Sequence, residues 1–124
     1  MTSAQALQNF WGRFTWTAYD VNTVPSEDLS PAMPRITYEL AEAGFDEPIF
    51  LTASLWDRSY SWQTVSDKLN EIYNYIGMGG VVVPFDGGAF WILRGSPFGQ
   101  RMSDEDDVIR RIVIQVQVEY LRNT

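Results

Sequence analysis

Residues 111–120, RIVIQVQVEY, alternate between two kinds of side chain along their whole length. Ile112, Ile114, Val116, Val118 and Tyr120 fall on one side, and Arg111, Val113, Gln115, Gln117 and Glu119 on the other. Successive side chains of an extended chain point to opposite faces, so a period of two sorts them into an apolar and a mixed face. Ile and Val are also stiff at χ1 and pack well on a pleated surface. A chain carrying this run must build a sheet with one buried face and one turned to water or to a partner, the habit of antiparallel sheets.

Something has to cover the buried face. Trp62, Val65, Leu69, Ile72 and Ile76 recur in steps of three and four, which makes one apolar stripe on a helix over about 62–76. Ser61 is placed to cap its start, and Gly77 to stop its end. The opposite side carries Ser66, Asp67, Asn70, Glu71 and Asn74. A shorter helix is expected over residues 3–14, with Ser3 as N-cap and Ala6, Leu7, Phe10, Trp11 and Phe14 at helical spacing.

Further strands follow the period of two. TWTAYDV (15–21) sets Trp16, Ala18 and Asp20 against Thr15, Thr17, Tyr19 and Val21. RITYEL (35–40) sets Ile36, Tyr38 and Leu40 against Arg35, Thr37 and Glu39. IFLTASLW (49–56) turns Ile49, Leu51, Ala53 and Leu55 inward, opposite Phe50, Thr52, Ser54 and Trp56. The short polar link AEAGFDEP makes these last two an antiparallel pair. Residues 22–34, NTVPSEDLSPAMP, hold three prolines and read as a long loop.

VVVPF and AFWILR flank Asp86-Gly87-Gly88, and here a phosphate-cradling loop has to be weighed against a turn. A phosphate loop runs from a strand into a helix whose N-terminus faces the phosphate. This glycine pair instead leads into Phe90, Trp91, Ile92 and Leu93, which are strand formers, so Asp86, Gly87 and Gly88 form a hairpin turn. GSPFGQRMSDEDD then reads as a second polar connection before the final strand. The order α-β-(loop)-β-β-α-β-β-β describes an α+β fold, a mostly antiparallel β-sheet with two helices packed on one face. No second domain or repeat is visible, so residues 1–124 are read as a single domain.

Composition narrows the chemistry. The chain has 124 residues, no Cys and no His, which removes thiolate sites and the commonest general base and zinc ligand together. Its net charge of −7 disfavours a general nucleic-acid binder. No segment approaches the length of a membrane span, and the first residues lack the pattern of a signal peptide, so synthesis and folding in the cytoplasm are expected.

The acid run Asp104, Glu105, Asp106, Asp107 lacks the spacing of a calcium loop. It reads as a solvated charge run or as a contact for a neighbouring subunit's arginines. Arg58, Arg94, Arg101 and Arg110, at strand ends or in connections, are the matching candidates, with surface salt-bridging as the plainer role. Acid pairs such as Asp46/Glu47 or Glu39/Glu42 cannot be placed across a cleft by spacing alone. No serine sits in a nucleophile motif. No catalytic residue, metal site or cofactor is therefore expected.

PIFLTASLWDRSYSW, the amphipathic helix, GGVVVPFDGGAFWILRGSPFGQRM and DDVIRRIVIQVQVEYL together resemble small proteins from the tail-assembly region of siphophage and prophage genomes. These are the tail terminators, also called tail-completion or minor structural proteins. The resemblance covers about residues 35–121, and DGGAFWILRGSPFGQRM is its most specific part. It implies a non-enzymatic virion subunit, assembled in the bacterial host's cytoplasm, that forms a homo-oligomeric ring, often a hexamer, at the head-proximal end of the tail tube. The implied partners are further copies of the chain, the tail tube protein and the head–tail connector proteins, with DNA as passing cargo and no membrane. A head–tail connector or other minor virion component is the nearest alternative, and a small carboxylate-based hydrolase a more distant one. A ring is a head-to-tail assembly, so each subunit needs two different, complementary patches.

Overall fold

Eight elements occur in the expected order in a computed structural model, which describes residues 1–21, 33–40, 47–103 and 108–122. They are α1 (Ser3–Gly12), β1 (Thr17–Asp20), β2 (Arg35–Tyr38), β3 (Ile49–Arg58), α2 (Gln63–Ile76), β4 (Val81–Phe85), β5 (Gly88–Met102) and β6 (Ile109–Arg122). The strands form one six-stranded sheet in the order β1-β2-β3-β6-β5-β4. Every neighbouring pair is antiparallel except β1 and β2, which run parallel. The fold is α+β, as the periodicities require.

The β6 run lies at the centre of the sheet, hydrogen-bonded to β3 on one side and β5 on the other. Its inward residues Ile112, Ile114, Val116 and Val118 are buried, together with Leu51, Ala53 and Leu55 of β3 and Phe90 and Ile92 of β5. Both helices cover this face. Helix α2 contributes Val65, Ile72 and Ile76, and α1 contributes Ala6, Leu7, Phe10 and Trp11. The helices meet each other where Phe10 and Phe14 stand against the Tyr75 ring.

Several element ends differ from expectation for local reasons. Thr2, not Ser3, caps α1: its hydroxyl accepts the Gln5 N–H while the Gln5 side chain accepts the Thr2 N–H, a reciprocal capping box. Trp62 holds the N-cap position of α2 without a side-chain bond, although the Ser61 hydroxyl still accepts the Gln63 N–H at 3.1 Å. Gly77 ends α2 as expected, with φ +67° and its N–H bonded to the Tyr73 carbonyl. Strand β1 starts only at Thr17, because Thr15 has φ +69° and cannot continue an extended chain. The single lysine holds that corner: Lys68 Nζ donates to the Phe14 carbonyl at 2.7 Å and to Thr15 Oγ1 at 3.2 Å, and pairs with Glu71.

The largest correction concerns residues 95–102. GSPFGQRM, expected as a connection, belongs to β5, which pairs with β6 as far as the Met102–Arg111 position. Residues 95–98 stand opposite Gln115 alone, so Gly95 and Pro97 are absorbed in a bulge instead of ending the strand, and pairing resumes at Gly99. Close packing requires those glycines. A Cβ on Gly95 would lie 2.4 Å from the Gln115 carbonyl oxygen, and one on Gly99 would lie 2.7 Å from Leu69 of α2. The 86–88 region is a hairpin turn, as expected: Phe85 pairs with Gly88 across Asp86-Gly87, and Gly87 has φ +89°. The expected 22–34 loop lies outside the described residues up to position 32, and so does most of the 41–48 connection.

Both sheet edges are short. Edge strand β1 has four residues, and its Ala18 carbonyl accepts a hydrogen bond from Gln8 Nε2. Edge strand β4 has five and includes Pro84, which has no N–H to offer. Gln8 also accepts the Tyr38 hydroxyl, so one α1 side chain ties β1 to β2.

Two glycine substitutions should separate close packing from backbone strain. Gly95→Ala is expected to cost about 1–3 kcal/mol through overpacking. Gly87→Val, with open space around it, should cost about 1–2 kcal/mol from its left-handed backbone. Urea denaturation of both variants measures this; wild-type stability in Gly95→Ala would remove the close-approach argument.

Burial raises the pKa of the Tyr38 hydroxyl above its ordinary value, and the Asp20 carboxylate adds to the shift. The neutral form is the one favoured by folding. Its contribution is therefore complete below the unfolded pKa of about 10 and is lost as the pH rises through the folded value. Melting temperatures measured from neutral to strongly alkaline pH should fall at the upper end, and Tyr38→Phe should flatten that fall.

Candidate functional site: an arginine-lined groove on the open sheet face

The sheet face opposite the helices carries no layer among the described residues. By alternation it bears Arg35 and Thr37 from β2, Phe50, Thr52, Ser54 and Trp56 from β3, and Arg111, Val113, Gln115 and Gln117 from β6. Phe50 is 58% exposed and Val82 55%, with Met102 and Leu121 also exposed.

Register decides what meets on this face. Arg35 of β2 is paired with Trp56 of β3, and Trp56 with Arg111 of β6, so three strands place the residues in one transverse row. The Arg111 guanidinium carbon lies 4.6 Å from the centroid of the Trp56 ring, and that of Arg35 lies 5.6 Å away. Cations at these distances are attracted by the indole's negative face. In the next row Thr37 pairs with Ser54, and both hydroxyl residues are buried although they sit on the open face.

Their cover is the row itself. Trp56 Nε1 donates to Thr37 Oγ1 at 3.0 Å, while Arg111 Nε and Nη2 donate to Ser54 Oγ at 3.2 and 3.1 Å. Together with Val21, Glu39, Thr52 and Ala53, these residues line a groove of about 400 Å³. Glu39 is the only carboxylate in its lining among the described residues, and its Oε1 accepts both the Thr52 N–H at 2.6 Å and the Thr52 hydroxyl at 2.8 Å.

Among the described residues, neither Arg35 nor Arg111 has a carboxylate within ion-pair distance. Arg35 Nε is buried and has no hydrogen-bond partner. A buried donor without a partner loses its hydration and gains nothing in return. The groove thus joins two uncompensated cations, an ordered aromatic plane and several hydroxyls, a set suited to planar anions such as carboxylates.

The arginines singled out from the sequence stand elsewhere, and three of them hold α2. Arg94, inside β5, donates from Nε and Nη2 to the Tyr73 carbonyl at 3.1 and 2.9 Å, with its guanidinium 3.4 Å from the Tyr73 ring centroid. Its charge lies near the C-terminal, electronegative end of the helix. Arg101 and Arg110 stand over the ring of Trp62 at the opposite end, at 4.8 and 5.4 Å, and Arg110 also donates to the Tyr60 carbonyl. Arg58 closes β3 opposite Ile109. Residues Asp104, Glu105, Asp106 and Asp107 lie outside the described residues. Among those described, no group of three or more acidic side chains is arranged to hold a metal ion.

Sequence reasoning passed over Arg35 and Arg111. The available signal was their position on the outer side of alternating strands; what it lacked was the register that brings them to a single tryptophan.

Compared with known proteins, the chain matches no family model, and no curated protein shows significant similarity to it.

Substitution should show that the two arginines differ in their value to the fold. Arg111→Met loses two hydrogen bonds to Ser54 and is expected to cost about 1 kcal/mol. Arg35→Met removes a donor that lacks a partner and should change stability by less than about 0.5 kcal/mol. Chemical denaturation of the two variants tests this; a large loss in Arg35→Met would mean that Arg35 serves the fold.

Proposed function

We propose that the chain is a non-enzymatic structural subunit that assembles with copies of itself into a ring at the head-proximal end of a phage tail tube, as a tail terminator. The observation that carries the reading is the open sheet face. It combines exposed Phe50, Val82, Met102 and Leu121 with two arginines that lack acidic partners among the described residues. Exposed apolar surface with localised charge on a small domain marks an interaction face. The short edge strands, one interrupted by proline, favour assembly through faces and loops over continuation of the sheet. The sequence resemblance supplies the tail context, and the α+β fold is compatible with it.

The carboxylate-hydrolase alternative needs two acids across a cleft. Among the described residues the groove lining offers one, Glu39, already engaged by Thr52. A head–tail connector would use the same kind of surface and differs from a terminator in what it limits. The test is tail assembly with and without the protein, viewed by negative-stain microscopy. A terminator's absence should give tails of uncontrolled length that fail to join heads. Tails of normal length that lack heads would indicate a connector, and normal head-joined tails made without the protein would overturn both.

A further inference from the structure

One donor in the open-face groove is not used by the fold: Arg35 Nε is buried and has no hydrogen-bond partner. Lys68 and Arg94 are bound to oxygens of the fold, Lys68 by Glu71 and two further oxygens and Arg94 by the Tyr73 carbonyl. Arg35 and Arg111 are stacked on Trp56, and no carboxylate among the described residues reaches them. In a chain with 16 acidic and 9 basic residues, the groove gathers two arginines on a single indole, and the Nε of one of them is buried without a hydrogen-bond partner.

We propose that the groove formed by Arg35, Trp56, Arg111 and Ser54 receives the acid run Asp104–Asp107 of a second copy of this chain, the groove and the run being the two unlike patches of a head-to-tail contact. The inference rests on the ring reading above and assigns its cationic half to residues other than Arg58, Arg94, Arg101 and Arg110.

Geometry and charge support this occupant. Arg35 and Arg111 are two strand spacings apart, about 10 Å between their backbones, and both guanidiniums lean on the indole between them. In an extended segment, carboxylates at positions i and i+2 stand on the same side about 7 Å apart. A run of four acids presents such a pair in either of two registers, Asp104 with Asp106 or Glu105 with Asp107. A stacked guanidinium keeps its N–H edge in a fixed plane, which favours two-point contact with a carboxylate. The groove is an open trough, so a peptide can lie across it. A head-to-tail ring needs a donor patch and an acceptor patch on every subunit, and one chain carries both.

The test uses the intact protein and a blocked peptide with the sequence of residues 102–108, MSDEDDV, followed by NMR of the Trp56 indole N–H and the arginine Nε–H signals. At low salt the peptide should shift the Trp56, Arg35 and Arg111 signals in a saturable way. Binding should weaken at least tenfold in the Arg35→Gln/Arg111→Gln protein, and should fade as about 0.5 M salt screens the charges. The same peptide with Asn and Gln in place of its acids should not bind.

Shifts centred on Arg94, Arg101 or Arg110 would overturn the assignment. So would inorganic phosphate displacing the peptide at equal concentration, because the groove would then be a small-anion site. If the intact protein is monomeric by light scattering, yet the peptide binds only after its own residues 104–107 are neutralised, the groove is filled within the same chain and the second-copy claim falls. No binding to either protein would also defeat it. No tail is present in this experiment, so its failure would leave the tail-length test of the terminator reading untouched.

Discussion

Burial of the inward side of β6 is the constraint from which the other elements take their positions. Ile112, Ile114, Val116 and Val118 are withdrawn from water, and each is worth about 1.5–3 kcal/mol of hydrophobic stabilisation. That gain requires strands on both sides and a helix above. Strand β3 supplies Leu51, Ala53 and Leu55 at the same level, and β5 supplies Phe90 and Ile92. Helix α2 lies across β3, β5 and β6, and Gly99 leaves room for its Leu69 side chain. The bulge at residues 95–98 is the backbone's way of bringing Gly99 into place without unzipping β5 from β6.

The two faces of the sheet employ arginine differently. On the covered side, Arg94, Arg101 and Arg110 reach both ends of α2 and contact it through aromatic rings and backbone carbonyls. They bring charge close to the core, as a delocalised and weakly hydrated guanidinium permits. On the open side, Arg35 and Arg111 lie along an indole with no ion-pair partner among the described residues, and Arg111 bonds a buried hydroxyl. The same residue type therefore fastens the fold on one face and presents a cationic strip on the other.

The alternations and the helical stripe made most of the architecture legible. The inward residues of β3 and β6, the stripe Val65, Ile72 and Ile76, and the Gly87 turn fall where the periodicities put them. What escaped was decided by contacts distant in sequence. Gly95 and Gly99 read locally as breakers, and their place in a strand is explained only by what stands against them, the Gln115 carbonyl and Leu69. The Arg35–Trp56–Arg111 row depends on the register of three strands, which the periodicity of each strand alone cannot supply. The parallel pairing of β1 with β2 is likewise a long-range choice, tied by Gln8 of α1 to Ala18 and Tyr38.

The short edges carry a consequence for how such a molecule would be handled inside a cell. A sheet whose outer strands end after four or five residues, one tied to a helix side chain and the other broken by proline, does not need a neighbour's backbone to be complete. Folding and association become separate events, governed by different forces: hydrophobic burial for the first, side-chain recognition for the second. If copies associate as proposed, each could fold to completion first, and their joining could be timed by whatever aligns them. Contacts of that kind can also form wrongly and let go, so an incomplete assembly can correct itself before it is sealed in place.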